Sequence, residues 1–140
     1  MKAYEKPLPG ATIEGKAFWE YSKQHELRMQ KCPVCGHIRH PAGVLCPNCH
    51  TMKEAEWVKL SGKGKVYSFV VFRYVYNRAF AEDIPYVVAV IELAEGPRMM
   101  SNIVGIDSQD IKVGMEVEVV YDDITEEYAL PKFKPVGVKV

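Results

Sequence analysis

Residues Lys31–His50, reading KCPVCGHIRHPAGVLCPNCH, decide how this chain is read. All four cysteines lie here, as two C-x2-C pairs, Cys32/Cys35 and Cys46/Cys49, with ten residues between the pairs. A C-x2-C pair sets two sulfurs on one tight turn, and two such turns face to face complete a tetrahedron of thiolates. That donor set suits Zn²⁺; iron in a rubredoxin-like site is the competing metal, because an S4 tetrahedron accepts either. Gly36 follows the first pair, where a positive φ is needed. The proline inside each pair stiffens its turn. Four thiolates fill the coordination sphere, whereas a catalytic zinc keeps one position open for water, so the site is read as structural. His37, His40 and His50 are read as exposed loop residues rather than as further ligands.

This segment is too short to build a core and needs the metal as its staple. Moving outward, Leu27–Lys31 alternates apolar and polar residues and reads as a short strand entering the cysteines. Upstream, the spacing predicts a helix over 12–25, with Thr12 as N-cap and Ile13, Ala17 and Tyr21 sharing one face. Trp19 points away from that stripe, which makes it an interface candidate, since an exposed indole is a typical anchor for a partner. Residues 1–10 carry two prolines and a glycine and read as an extended arm.

Downstream of Val58 the pattern is all β. Lys65–Tyr76, Pro85–Leu93, Arg98–Val104, Met115–Tyr121 and Lys132–Val140 read as five strands, with a connector between the third and fourth that holds a helical turn at 108–111. Five strands with that connector are the layout of the OB-fold. The predicted class is therefore mainly β: an N-terminal arm and helix (1–26), a rubredoxin-like zinc ribbon (27–57) and a five-stranded OB-fold barrel (58–140).

Composition narrows the function. At 140 residues, 48% hydrophobic and 26% charged, the chain is an ordinary globular protein of about one domain. No uncharged apolar run, Val66–Phe72 included, approaches the roughly 20 residues of a membrane span. The N-terminus lacks the apolar run of a secretory signal, so reduced thiols and a cytoplasmic location are expected. Eighteen basic residues balance eighteen acidic ones, which argues against a nucleic-acid partner, because that needs a basic track along the phosphates.

No nucleophile elbow, phosphate loop, dinucleotide fingerprint or zinc-protease motif occurs. Gly62-Lys63-Gly64-Lys65 is too short to cradle a phosphate and reads as a turn into the barrel. The acid pairs Asp122–Asp123 and Glu126–Glu127 fall in a polar loop. General acid–base chemistry needs positioned groups with tuned pKa values, and none is advertised. The chain is read as a binding or partner subunit, not an enzyme. The segment Val70–Phe80 interleaves Phe72, Tyr74, Tyr76 and Phe80 with Arg73 and Arg78. Aromatic faces stack on planar rings and arginines pair with phosphates, so this segment suits a nucleotide-like ligand. It also suits single-stranded nucleic acid on an OB surface, the alternative reading. Lys132 and Lys134 flank Phe133 and share a face of the last strand. The candidate ligand contacts are Arg73, Tyr76, Arg78, Lys132 and Lys134.

Helix, ribbon and barrel in that order resemble the zinc-ribbon and OB-fold family long filed as domain of unknown function thirty-five and linked to acyl-CoA metabolism. The matching residues are Phe18-Trp19, Leu27–Gly36, Cys46–Cys49, Trp57–Gly64, Pro85–Leu93 and Ile111–Val117. One departure is His40-Pro41-Ala42-Gly43, where family members often carry Pro-Pro-Arg, so no role of that arginine carries over. The resemblance implies an accessory subunit of thiolase-like condensing enzymes or acyl-CoA hydratases that bridges enzymes and helps hold CoA or acyl-CoA.

Overall fold

A computed structural model describes residues 4–140; positions 1–3 of the arm lie outside the described residues. Helix α1 spans Lys16–Lys23, shorter at its start than predicted. Thr12 does not cap it. Its Oγ1 accepts from the Gly15 N–H at 2.9 Å and closes a turn ahead of the helix, while Gly15 holds the cap position without a side-chain bond. Starting at Lys16 takes Ile13 off the apolar stripe, and it is 94% exposed. The buried residues of α1 are Phe18 and Ser22. Trp19 sits beside them, edge-on to Phe18 at 5.1 Å and to Tyr128 at 5.8 Å. The expected stripe that would have left the Trp19 indole in water is thus corrected: Trp19 is half-buried against its own chain.

The ribbon is a three-stranded antiparallel sheet. Strand β1 (Arg28–Lys31) lies between β2 (Ile38–Arg39) and β3 (Glu56–Lys59). Cys32–His37 is the turn of the β1–β2 hairpin, and β3 returns the chain after the second cysteine pair. Strand β3 runs across the division at 57/58 and registers with β1, Gln30 facing Trp57. Buried Gln30 accepts through Oε1 from Arg39 Nε at 2.8 Å and from the Gly43 N–H at 2.9 Å. Arg39 also donates to the Gly43 carbonyl at 2.8 Å. One carboxamide thereby fixes the loop between the two knuckles.

Strands β4 (Lys63–Phe72), β5 (Tyr86–Leu93), β6 (Arg98–Ile103), β7 (Glu116–Asp123) and β8 (Ala129–Pro135) close a barrel in the order β4-β5-β6-β8-β7. Only β6 and β8 run parallel, at Ile103 and Phe133. This is the predicted OB arrangement. Period-2 alternation fills its interior with Val87, Ala89, Ile91 and Leu93 from β5 and Ala129, Pro131 and Phe133 from β8. The core continues into Leu60, Met29, Leu27 and Phe18, so helix and ribbon pack on the barrel.

Two strands, β4 and β8, differ from the sequence reading by three residues or more at a bound. Strand β4 stops at Phe72, not Tyr76, because Phe72–Tyr86 is its last rung. The chain then forms a 3-10 turn at Arg78–Phe80 capped by Asn77. Strand β8 begins at Ala129, where the buried alternation begins, and Gly137 at φ 85° follows its end. The connector carries its expected turn at Ser108–Asp110, capped by Asp107. Among the described residues no helix is long and apolar enough to cross a membrane.

Candidate functional site

The two knuckles are built alike. The Cys32 N–H donates to the His37 carbonyl at 2.8 Å, and the Cys46 N–H to the Thr51 carbonyl at 3.0 Å. Gly36 closes back on the Cys32 carbonyl at 3.0 Å, and His50 on the Cys46 carbonyl at 2.9 Å. Gly36 and His50 both take left-handed backbone, φ 78° and 62°. The requirement read at Gly36 thus recurs at His50, where a histidine meets it.

These turns bring the four Sγ atoms within 4.8 Å of one another, with Cys32–Cys49 and Cys35–Cys46 each at 3.6 Å. A tetrahedron with Zn–S near 2.3 Å sets sulfurs about 3.8 Å apart, so the thiols already stand at metal-binding spacing. The Val34 and Cys35 N–H groups point at Cys32 Sγ from 3.4 and 3.5 Å. The Cys35 N–H is the largest influence on the Cys32 thiol, which is pulled down to about 6. Cys46 is lowered as well, first by the Cys49 N–H. At Cys49 the Thr51 N–H lowers the thiol, but burial and the three crowded sulfurs outweigh it and push it up to about 11. Sulfurs that resist ionising together call for a cation among them. Cys32, Cys35, Cys46 and Cys49 fit a structural zinc ion, which would join the knuckles and leave no open coordination position.

A second feature lies where helix, ribbon and barrel meet. A cavity of about 530 Å³ is lined by Phe18 and Trp19 of α1, His40 and Pro41 of the ribbon, and Met99 and Lys132 of the barrel, among others. Trp19 and Lys132, singled out separately in the sequence, share this wall. His40 faces the Phe18 ring at 5.1 Å, and burial pushes its imidazole below the ordinary histidine range. His40, read from the sequence as an exposed loop residue, is instead half-buried in this wall, and Met99 and Asn102 were not singled out. No local signal marks them, because three distant segments build the wall.

The other candidates do not converge. Lys132 is paired with Asp122 at 2.8 Å. Lys134 is paired with Glu118 at 2.9 Å and also donates to the Val138 carbonyl. Arg73 and Tyr76 border a separate shallow depression that shares no residue with the junction cavity. Arg78 opens the exposed 3-10 turn after it.

Comparison with known proteins covers most of the chain. Residues 19–52 match the family model described as "ChsH2, rubredoxin-like zinc ribbon domain", and residues 57–122 match "ChsH2, C-terminal OB-fold domain". A "DUF35 domain-containing scaffold protein" of Methanocaldococcus jannaschii is 41% identical over 126 residues, covering 84% of this chain and 88% of that protein. A "Probable enoyl-CoA hydratase alpha subunit" of Thermomonospora curvata is 37% identical over 130 residues. That match takes in 93% of this chain, which spans only 40% of the relative's length. Among solved structures, a chain of "Ltp2-ChsH2(DUF35) aldolase" superposes with a TM-score of 0.83 at 37% identity, covering 91% of this chain and 98% of that one.

Proposed function

Because this chain belongs to the ChsH2/DUF35 family of zinc-ribbon and OB-fold proteins, we propose that it is a non-catalytic accessory subunit of an acyl-CoA enzyme. The observation that carries this reading is the match to a DUF35 chain of an aldolase structure over nearly that chain's whole length. The partner is an enzyme of thioester chemistry: thiolase-like, hydratase or aldolase. The zinc centre supports the division of labour, since four protein ligands leave the metal no site for substrate.

For CoA itself the junction cavity is the better candidate. Trp19, Phe18 and Met99 offer apolar wall to a pantetheine or acyl chain, and Lys132 offers a cation if it exchanges Asp122 for a phosphate. Lys134 is already held by Glu118 and a carbonyl, Arg73 and Tyr76 lie on the separate depression, and Arg78 lies on the turn after it. A reduced thiolate centre fits the cytoplasm. The divisions 1–26, 27–57 and 58–140 are kept as the segments of this reading, and one core cluster draws residues from each of them.

Titration of the zinc-loaded protein with CoA and acetyl-CoA, followed by Trp fluorescence and calorimetry, tests the ligand part. A saturable signal that Lys132→Ala weakens supports it. No binding, alone or with the co-purifying enzyme, removes CoA from this chain and leaves a scaffold.

A further inference from the structure

Strand β4 is covered unevenly. On one side β5 pairs with it from Gly64 to Phe72. On the other, β7 reaches only Lys63–Lys65. One further rung follows at Val66, whose N–H donates to the Met115 carbonyl and whose carbonyl accepts from the Gly114 N–H. From Tyr67 to Phe72 no strand of the described residues lies along that second edge. An open edge is a row of unpaired donors and acceptors, which folded proteins ordinarily blunt with lysine, proline or short length. This edge reads Tyr-Ser-Phe-Val-Val-Phe. It carries neither residue, and only a bulge at its start, at Val66/Ser68, disturbs it.

The surface beside the edge is apolar. Val70 is 56% exposed, Tyr74 68% and Tyr76 76%. Together with Phe72 they border a depression of about 590 Å³. Tyr76 stands edge-on to Phe72 at 6.2 Å and to Tyr74 at 4.9 Å, and Phe72 stacks on Tyr86 at 5.0 Å. Charge there is one-sided. Residues 63–78 hold four cations and no acid in a chain that is neutral overall. Lys63 and Lys65 face Glu118 and Glu116 across the ladder. Arg73 and Arg78 form no ion pair among the described residues.

We propose that the Tyr67–Phe72 edge receives an extended strand of a second protein, apolar along its length and acidic at the end that reaches Arg73 and Arg78. Main-chain bonds to an open edge give such a strand its affinity, and the side-chain surface gives its specificity. The two arginines fix its register and polarity. A second copy of this chain is a poor occupant. Two antiparallel β4 edges would lay Lys65 of one beside Arg73 of the other, with no acid in either segment. A single-stranded nucleic acid would use the rings and arginines and leave the edge amides unpaired. The inference concerns which surface docks, and it stands whether or not the partner is an acyl-CoA enzyme.

The test uses the zinc-loaded full chain and the peptide acetyl-Thr-Val-Thr-Val-Thr-Val-Asp-Glu-amide, followed by amide nitrogen–proton shifts. The expected result is saturable shifts confined to residues 66–78. The Asp-Glu peptide should bind at least about fivefold more tightly than its Lys-Lys counterpart, with the margin shrinking as salt rises. A version N-methylated at alternate residues should not bind. Val70→Lys, and separately Arg73→Glu with Arg78→Glu, should each weaken binding at least about fivefold with zinc content unchanged, since all three sites are exposed. The proposal is overturned by absent binding, by equal binding of the Lys-Lys or N-methylated peptide, or by shifts elsewhere. It is overturned too if decathymidylate occupies these residues while the peptide does not, or if the free chain dimerises through this edge.

Discussion

Nε2 of His25 lies 2.9 Å from Oδ1 of Asp123, and this contact ties the end of α1 to the end of β7. The His25 ring also stacks on Tyr121 at 4.9 Å. Lys23 adds to the clasp, 3.6 Å from the same carboxylate and donating to the Thr125 carbonyl at 2.8 Å. The His25 hydrogen bond is the first cause that holds the Asp123 carboxyl below the ordinary carboxylate range; burial opposes it, and the His25 and Lys23 charges add to it.

A carboxyl depressed in the folded state stabilises the fold above its unfolded value, about 3.9, and that contribution is lost as pH falls through the lower folded value. Asp123→Asn should therefore lower Tm at pH 7. The gap to wild type should narrow as melts are taken progressively below the unfolded value. A gap of the same size at every pH would show that the clasp is not electrostatic.

His40 gives a separate acid dependence. Burial lowers its pKa, so the unfolded chain takes up the proton first. Stability at this residue is full above the unfolded value, about 6.5, and falls as pH drops from there toward the lower folded value. His40→Phe should flatten that slope below about pH 6.5 while zinc content stays the same. An unchanged slope would place the proton uptake elsewhere.

Gln30→Ala strands the buried Nε donor of Arg39 and the half-buried N–H of Gly43. The expected cost is about 1–3 kcal/mol, the price of leaving buried donors unpaired, read by chemical denaturation. Wild-type stability in this variant would mean that water replaces the carboxamide.

The matching knuckles predict opposite tolerance at two positions. Gly36→Ala forces a Cβ into left-handed backbone and should cost about 1–2 kcal/mol. His50→Gly relieves the same conformation and should leave stability within about 0.5 kcal/mol, strain relief and added unfolded-state entropy nearly cancelling. Cys46→Ser should abolish stoichiometric zinc and loosen residues 32–51, since binding energy in such sites is folding energy. Full zinc occupancy in Cys46→Ser, by elemental analysis of purified protein, would rule out the four-sulfur centre.

The metal centre was legible in the sequence because its ligands are local: four cysteines at fixed spacing carry their own geometry. The barrel was legible because five runs rich in β-branched and aromatic residues, such as Pro85–Leu93, are separated by turn signals. The face of α1 was not. Periodicity fixes a face only once the helix start is known, and Thr12 serves a preceding turn, so Ile13 was counted into a stripe that begins after it. The junction cavity was hidden for a different reason. Trp19, His40, Met99 and Lys132 meet only after ribbon and helix dock on the barrel, and nothing local in the chain encodes that meeting. The open edge of β4 was equally out of reach, because whether a strand has one neighbour or two depends on where β7 ends.

The account rests on this chain working as a subunit of an acyl-CoA enzyme. The most direct measurement is purification of the tagged, zinc-loaded chain from its native cells at native expression, with mass spectrometry of the eluate and light scattering of the complex. The expected result is a stoichiometric complex with a thiolase-like, hydratase or aldolase enzyme whose activity on an acyl-CoA thioester falls when this chain is removed. Recovery of the chain alone, or with nucleic acid and no acyl-CoA enzyme, would contradict it.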